Sequence, residues 1–153
     1  MKIDNIDKQI LNLLQENARI TNVELASKVG ISPPAMLERV KRLEKGGFLK
    51  KYVAVINPDK VGKNIIALIS VWLSAHQLSS IDSFTKQINK FDEVLECYHI
   101  AGEEDFILKI MADSIRDVES FLLQKLTKIP GVSKVNTKFV LSTVKYETKI
   151  NVK

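Results

Sequence analysis

Apolar residues recur at helical spacing through the first third of the chain, and beyond about residue 62 strand-like runs alternate with two more helical stretches. Asp4 can cap a helix running to about Glu16, with Asp7 at its third position and Ile6, Ile10, Leu13 and Leu14 as its inner stripe. Thr21 and Glu24 have the form of a capping box, Leu25, Ala26 and Val29 give the next helix one apolar face, and Gly30 ends it after about two turns. Ser32 and Pro33 start a third helix that buries Met36, Val40 and Leu43 until Gly46-Gly47 stop it. Two helices joined by a short glycine-containing turn predict a helix-turn-helix motif at about 23–42, with the first helix as the third wall of its core.

A strand is expected over residues 48–56, broken by Asn57-Pro58-Asp59. Further strands are expected over 65–74, 94–100, 106–112 and about 135–141. One helix over 80–91 carries Ile81, Phe84, Ile88 and Phe91, and another, capped by Ser114 with Asp117, carries Val118, Phe121, Leu122 and Leu126. The order βαββαβ is that of the split ferredoxin-like unit. A last alternating run, Val144, Tyr146, Thr148 and Ile150, predicts one more strand at a sheet edge. The expected fold class is α+β: a helix-turn-helix, winged-helix-like domain over 1–62, joined by a strand linker to a ferredoxin-like domain over 63–153.

The outward arc of the third helix gives the first domain a chemistry. With Met36, Val40 and Leu43 inward, Pro34, Glu38, Lys41, Arg42 and Lys45 face out, flanked by Ala35 and Arg39 and preceded by Ser32. In helix-turn-helix proteins such a helix lies in the DNA major groove, its first turns reading base edges and its basic groups holding phosphates, so double-stranded DNA is the expected partner; the alternative is a solvated outer face on an ordinary core helix. Charge agrees with this. Of the net +5, residues 1–62 hold 11 Lys+Arg against 7 Asp+Glu, and residues 63–153 hold 12 against 11.

Composition narrows the remaining classes. At 45% hydrophobic and 27% charged the chain has ordinary globular character, and its longest apolar run, near 65–73, is about half a membrane span. Met1-Lys2 leads into a polar helix instead of an apolar leader, so a cytoplasmic protein with no membrane partner is expected. Cys97, the single cysteine, reads as a small core hydrophobe, and His76 and His99 have no partner at metal spacing. No metal or resident cofactor is expected. Glu103, Glu104 and Asp105 near His99 complete no catalytic constellation, so no enzyme activity is expected. The runs 65–73 and 106–111 are apolar at nearly every position, as in strands covered on both faces, yet two helices cover one face of a sheet. An identical second sheet, in a two-fold dimer, is the expected cover.

The pattern from IDNIDKQILNLLQENAR through RVKRLEKGGFLKKY, followed by a βαββαβ unit containing EVLECYHIAGEEDFILKI, resembles the feast/famine, leucine-responsive regulators, the Lrp/AsnC family. The similarity spans essentially the whole chain. Gly102-Glu103-Glu104-Asp105-Phe106 is similar to the family's G-E-x-D-Y turn, with Phe106 for tyrosine and Ala101 where threonine is usual. The resemblance implies a transcription factor whose C-terminal domain dimerises, assembles dimers into octamers and, in many members, binds a small effector, usually an amino acid. It implies an effector site between C-terminal domains at Gly102, Glu103, Glu104 and Asp105, with Thr137 adding a hydroxyl. Gly102 would let backbone N–H groups approach a carboxylate and Asp105 would hold an α-ammonium. Two alternatives stay open: a tight turn in which Asp105 caps a backbone amide, and an architectural DNA-binding protein without an effector.

Overall fold

The structure, a computed structural model, describes residues 2–74 and 78–153. His76 lies outside the described residues. The chain divides into two units, Met1–Val55 with Lys145–Lys153, and Ile56–Val144. The first holds 13 Lys+Arg against 7 Asp+Glu, net +6, and the second 10 against 11, net −1. The whole positive excess thus belongs to the first unit.

That unit contains α1 (Asn5–Glu16), α2 (Asn22–Val29) and α3 (Pro33–Lys45). Reciprocal capping boxes start two of them: the Asp7 N–H donates to Asp4 and the Asp4 N–H to Asp7, and the same exchange links Thr21 and Glu24. Gly30 ends α2 at φ 78°, a left-handed position that costs a side chain and not glycine. Ser32 stands at the N-cap of α3, but its hydroxyl makes no capping bond, contrary to expectation. Pro33 and Pro34 remove the first two N–H groups of the helix, so little remains there to cap. Ile10, Leu11, Leu14, Leu25, Met36, Val40 and Leu43 close the core. The expected strand over 48–56 forms no ladder. Val53, Val55 and Ile56 stay exposed, because among the described residues no strand pairs with them.

The second unit is a four-stranded antiparallel sheet in the order β2-β3-β1-β4, from β1 (Ile65–Leu73), β2 (Val94–His99), β3 (Phe106–Ala112) and β4 (Val132–Phe139). With α4 (Leu78–Ile88) and α5 (Ile115–Gln124) it completes the ferredoxin-like βαββαβ order. Ala67, Ile69, Val71 and Leu73 alternate with Phe106, Leu108 and Ile110 beneath Phe84, Val118 and Phe121. The Phe84 and Phe106 rings pack at 4.5 Å between centroids, tilted by 34°. Leu126, expected in the second helix of this unit, is buried from a short 3-10 turn after α5.

Two expectations give way here. Cys97 is exposed, not core, because β2 is an edge strand with a neighbour on one side alone. The run from Val144 to Ile150 adds no strand to the sheet. The chain leaves the ladder after Val140, Leu141 is 98% exposed, and residues 145–153 join the first unit. No helix among the described residues is long and apolar enough to cross a membrane.

Candidate DNA interface and effector site

Every residue expected to face DNA lies on α3 or at its cap. Ser32, Pro34, Ala35, Glu38, Lys41, Arg42 and Lys45 are exposed and Arg39 is half-buried. Leu37, which the outward arc did not single out, is also 39% exposed, so the face carries a large apolar side chain besides Pro34 and Ala35, of the kind that packs on a thymine methyl.

The charges on this face are of two kinds. Asp7 is fully buried, and its carboxylate accepts from Arg39 Nη1 at 2.7 Å and from Arg42 Nη2 at 3.0 and 2.9 Å. Asp4 accepts from the same Arg39 nitrogen at 2.7 Å. The backbone N–H of Asp7, and after it the Arg39 guanidinium, hold the Asp4 carboxyl below the usual carboxylate range. Arg39 and Arg42 therefore brace α3 against α1, and two carboxylates already balance their charge. Lys41 and Lys45 enter no ion pair among the described residues. The signal for this brace was present in the sequence: Asp7, Ile10, Leu11 and Leu14 share one face of α1, and an acid on an apolar stripe needs cationic partners.

The division has a measurable consequence. Lys41→Ala with Lys45→Ala should lower the slope of log K against log salt by about 2, because each phosphate neutralised by a lysine adds about 0.9 to it. The folded content of the variant should match the parent by circular dichroism, since both positions are exposed. An unchanged slope in gel shifts across a salt series would remove both lysines from the interface.

In the second unit, the turn between β2 and β3 holds the expected effector residues. The Ile100 N–H donates to the Asp105 carbonyl at 3.0 Å and the Asp105 N–H to the Val71 carbonyl at 3.0 Å, fastening the turn to β1. The Leu73 N–H donates to Asp105 Oδ2 at 2.7 Å, so this carboxylate does cap a backbone amide. Ser70, buried on the sheet face away from the helices, donates its hydroxyl to Glu104 Oε1 at 3.0 Å. The backbone N–H of Glu104 itself, and then this hydroxyl, hold the Glu104 carboxyl below its ordinary range. Glu103 is exposed. Gly102 is not left-handed, and an added Cβ would have 4.0 Å to its nearest neighbours, so the turn itself does not demand glycine there. Thr137 is placed apart from this group. It pairs with Ile69 and shares the helix-covered side of the sheet, whereas Ser70 and Glu104 lie toward the other.

That other face carries Ile66, Leu68, Trp72, Ile107 and Met111, with Lys134 4.5 Å from the Trp72 ring centroid and Lys109 paired to Glu96 at 2.9 Å. Among the described residues, it is an apolar sheet surface on the side opposite to the core that Phe84, Val118 and Phe121 of α4 and α5 cover.

Comparison with known proteins decides what this pair of units is. Residues 3–50 match the model of a winged helix-turn-helix DNA-binding domain, and residues 66–150 match that of the Lrp/AsnC ligand-binding domain. The chain belongs to the Lrp/AsnC family. It is 40% identical over 143 residues to the transcriptional regulator AzlB of Bacillus subtilis, covering 94% of this chain and 91% of that protein. To the leucine-responsive regulatory protein of Escherichia coli it is 34% identical over 151 residues, 99% of this chain and 92% of that one. A transcriptional regulator from Neisseria meningitidis, solved as its L-Met complex, superposes with a TM-score of 0.91 at 34% identity, over 97% of this chain and 96% of that chain. The Lrp/AsnC chain described here is accordingly a transcriptional regulator with a helix-turn-helix DNA-binding unit and a ligand-binding unit.

Proposed function

We propose that this Lrp/AsnC regulator senses an amino acid in its second unit and reads DNA as a homodimer that assembles further to an octamer. The observation that carries the sensing half is the turn at 102–105. Two carboxylates, Glu104 and Asp105, are fixed by Ser70 and the Leu73 amide at the rim of an uncovered apolar sheet face. Fixed carboxylates beside apolar surface suit an α-ammonium and an aliphatic side chain, and the Neisseria relative was solved with L-Met. For the dimer, the support is the uncovered face with Leu68, Trp72, Ile107 and Met111; a second copy buries it with two-fold symmetry. On DNA, Ala35 and Glu38 are assigned to base edges and Lys41 and Lys45 to phosphates, with Arg39 and Arg42 holding the helix that carries them.

The test is a thermal-shift screen of the full chain with the twenty amino acids, methionine first, followed by sedimentation velocity and gel shifts with any that bind. A ligand at a hundred times its Kd adds about 2.7 kcal/mol to the native state and raises the melting temperature accordingly. No shift with any of them, together with ordinary DNA binding, would favour an architectural DNA-binding protein without an effector.

A further inference from the structure

Residues 145–150 fall inside the match to the ligand-binding domain, yet their contacts lie elsewhere. We propose that residues 145–153 are a strap belonging to the DNA-binding unit, latched to the exposed side of α1 by the carboxamides of Asn12 and Gln15, so that two runs of chain, not one, tie this unit to the ligand-binding unit. Asn12 Nδ2 donates to the Val152 carbonyl at 3.1 Å, and the Val152 N–H donates back to Asn12 Oδ1 at 3.3 Å. Gln15 repeats the exchange with Ile150, at 2.9 Å outward and 2.7 Å back. Each carboxamide thus satisfies both backbone groups of one residue, as a neighbouring strand would.

The geometry explains why these residues fit. Alternate residues of an extended chain are about 6.7 Å apart, and side chains three apart on a helix are separated by about 4.5 Å of rise. The longer glutamine arm makes up the difference. An aspartate or glutamate of the same length could accept but not donate, whereas a carboxamide makes both bonds. Lys149 adds an ion pair with Glu16, and Val152 packs on the core shared by Ile10, Leu25 and Met36. The strap also carries Lys145, Lys149 and Lys153 against Glu147, which raises the unit's net charge from +4 to +6.

The consequence is mechanical. A unit joined through residue 55 alone is free to reorient about one linker, whereas one whose chain also returns at residue 145 loses much of that freedom before it meets DNA. In the dimer proposed above, on which this second consequence rests, restraint raises the effective concentration of the second DNA-binding unit at its half-site once the first has bound.

Three proteins test it: the parent, Asn12→Ala with Gln15→Ala, and a chain ending after Val144. Alanine at two outward helix positions keeps helix propensity, so the double variant folds. By 15N relaxation, amides of α2 and α3 should tumble with those of β3 and α5 in the parent, and distinctly faster in both variants. Equal tumbling in all three, or independent tumbling already in the parent, overturns the strap. On duplexes enriched by the parent from a randomised pool, both variants should lose about tenfold on two half-sites and almost nothing when one half-site is scrambled. If the parent itself shows no preference for two half-sites, the dimeric reading fails while the relaxation result still decides the strap. Faster tumbling with rescue on mixing variant and parent would mark exchange of tails between copies, and would overturn the intrachain latch.

Discussion

Removing both guanidinium groups from α3, as Arg39→Ala with Arg42→Ala, is expected to unfold the DNA-binding unit before it is tested on DNA. The Asp7 carboxylate is fully buried, and those two arginines are its cationic partners at 2.7 to 3.0 Å. Stripping the partners from a buried charge costs about 3–5 kcal/mol, a large share of what a small unit has. Adding Asp7→Asn should return part of the loss, because a neutral amide leaves no charge stranded and can still accept from the Asp4 N–H. Asp7→Asn alone should be milder, since Arg39 and Arg42 are respectively 24% and 48% exposed and can rehydrate. Hydrogen exchange at Leu25, Met36 and Leu43 measures all four proteins of this cycle. If the double arginine variant keeps parental protection and loses only DNA affinity, the arginines are phosphate contacts and the brace has no energetic weight.

Asp105→Ala is expected to weaken the ligand-binding unit and to erase the proposed response to an amino acid together. Loss of the carboxylate leaves the Leu73 N–H without the oxygen now 2.7 Å away, an effect of about 1–3 kcal/mol. Asp105→Asn separates the two roles, because the amide oxygen still accepts from Leu73 but carries no charge for an α-ammonium. Its melting temperature should stay close to the parent's while the thermal shift with the best amino acid disappears. Since an effector moves an assembly equilibrium only through its differential affinity for the two states, the ligand-dependent change in sedimentation should vanish too. A parental ligand shift in Asp105→Asn places the ammonium contact elsewhere, and Glu104, held by Ser70 3.0 Å away, becomes the group to change next.

How far the chain could be read in advance follows the range of the forces involved. The capping boxes at Asp4/Asp7, Thr21/Glu24 and Ser114/Asp117, and the stop at Gly30, are contacts within four residues, so their donors and acceptors stand next to one another in the sequence. Period and β-propensity likewise placed the four strands and five α-helices of the described residues, and with them the βαββαβ order. The basic face of α3 was legible for the same reason, as it needs only 100° per residue and three inward apolar positions.

Partnership between distant residues was decided only by the tertiary structure. Asp7 sits 32 residues from Arg39 and 35 from Arg42, so its reading as a local cap was correct and incomplete. Thr137 was expected on a strand face turned toward the interface, but strand register assigns its face, and pairing with Ile69 puts it on the helix side. The run at 48–56 has the β-propensity of a strand and the run at 144–150 the alternation, yet neither is a strand, because a strand exists only where a neighbour supplies its hydrogen bonds. For the second run that neighbour is a pair of side chains on α1, about 135 to 140 residues away in sequence. Sequence by itself determined which segments are helical or extended and which face each must bury. The fold decided which buried charge, which strand edge and which carboxamide meets which, since these pairings form only once the chain has closed loops of 30 to 140 residues.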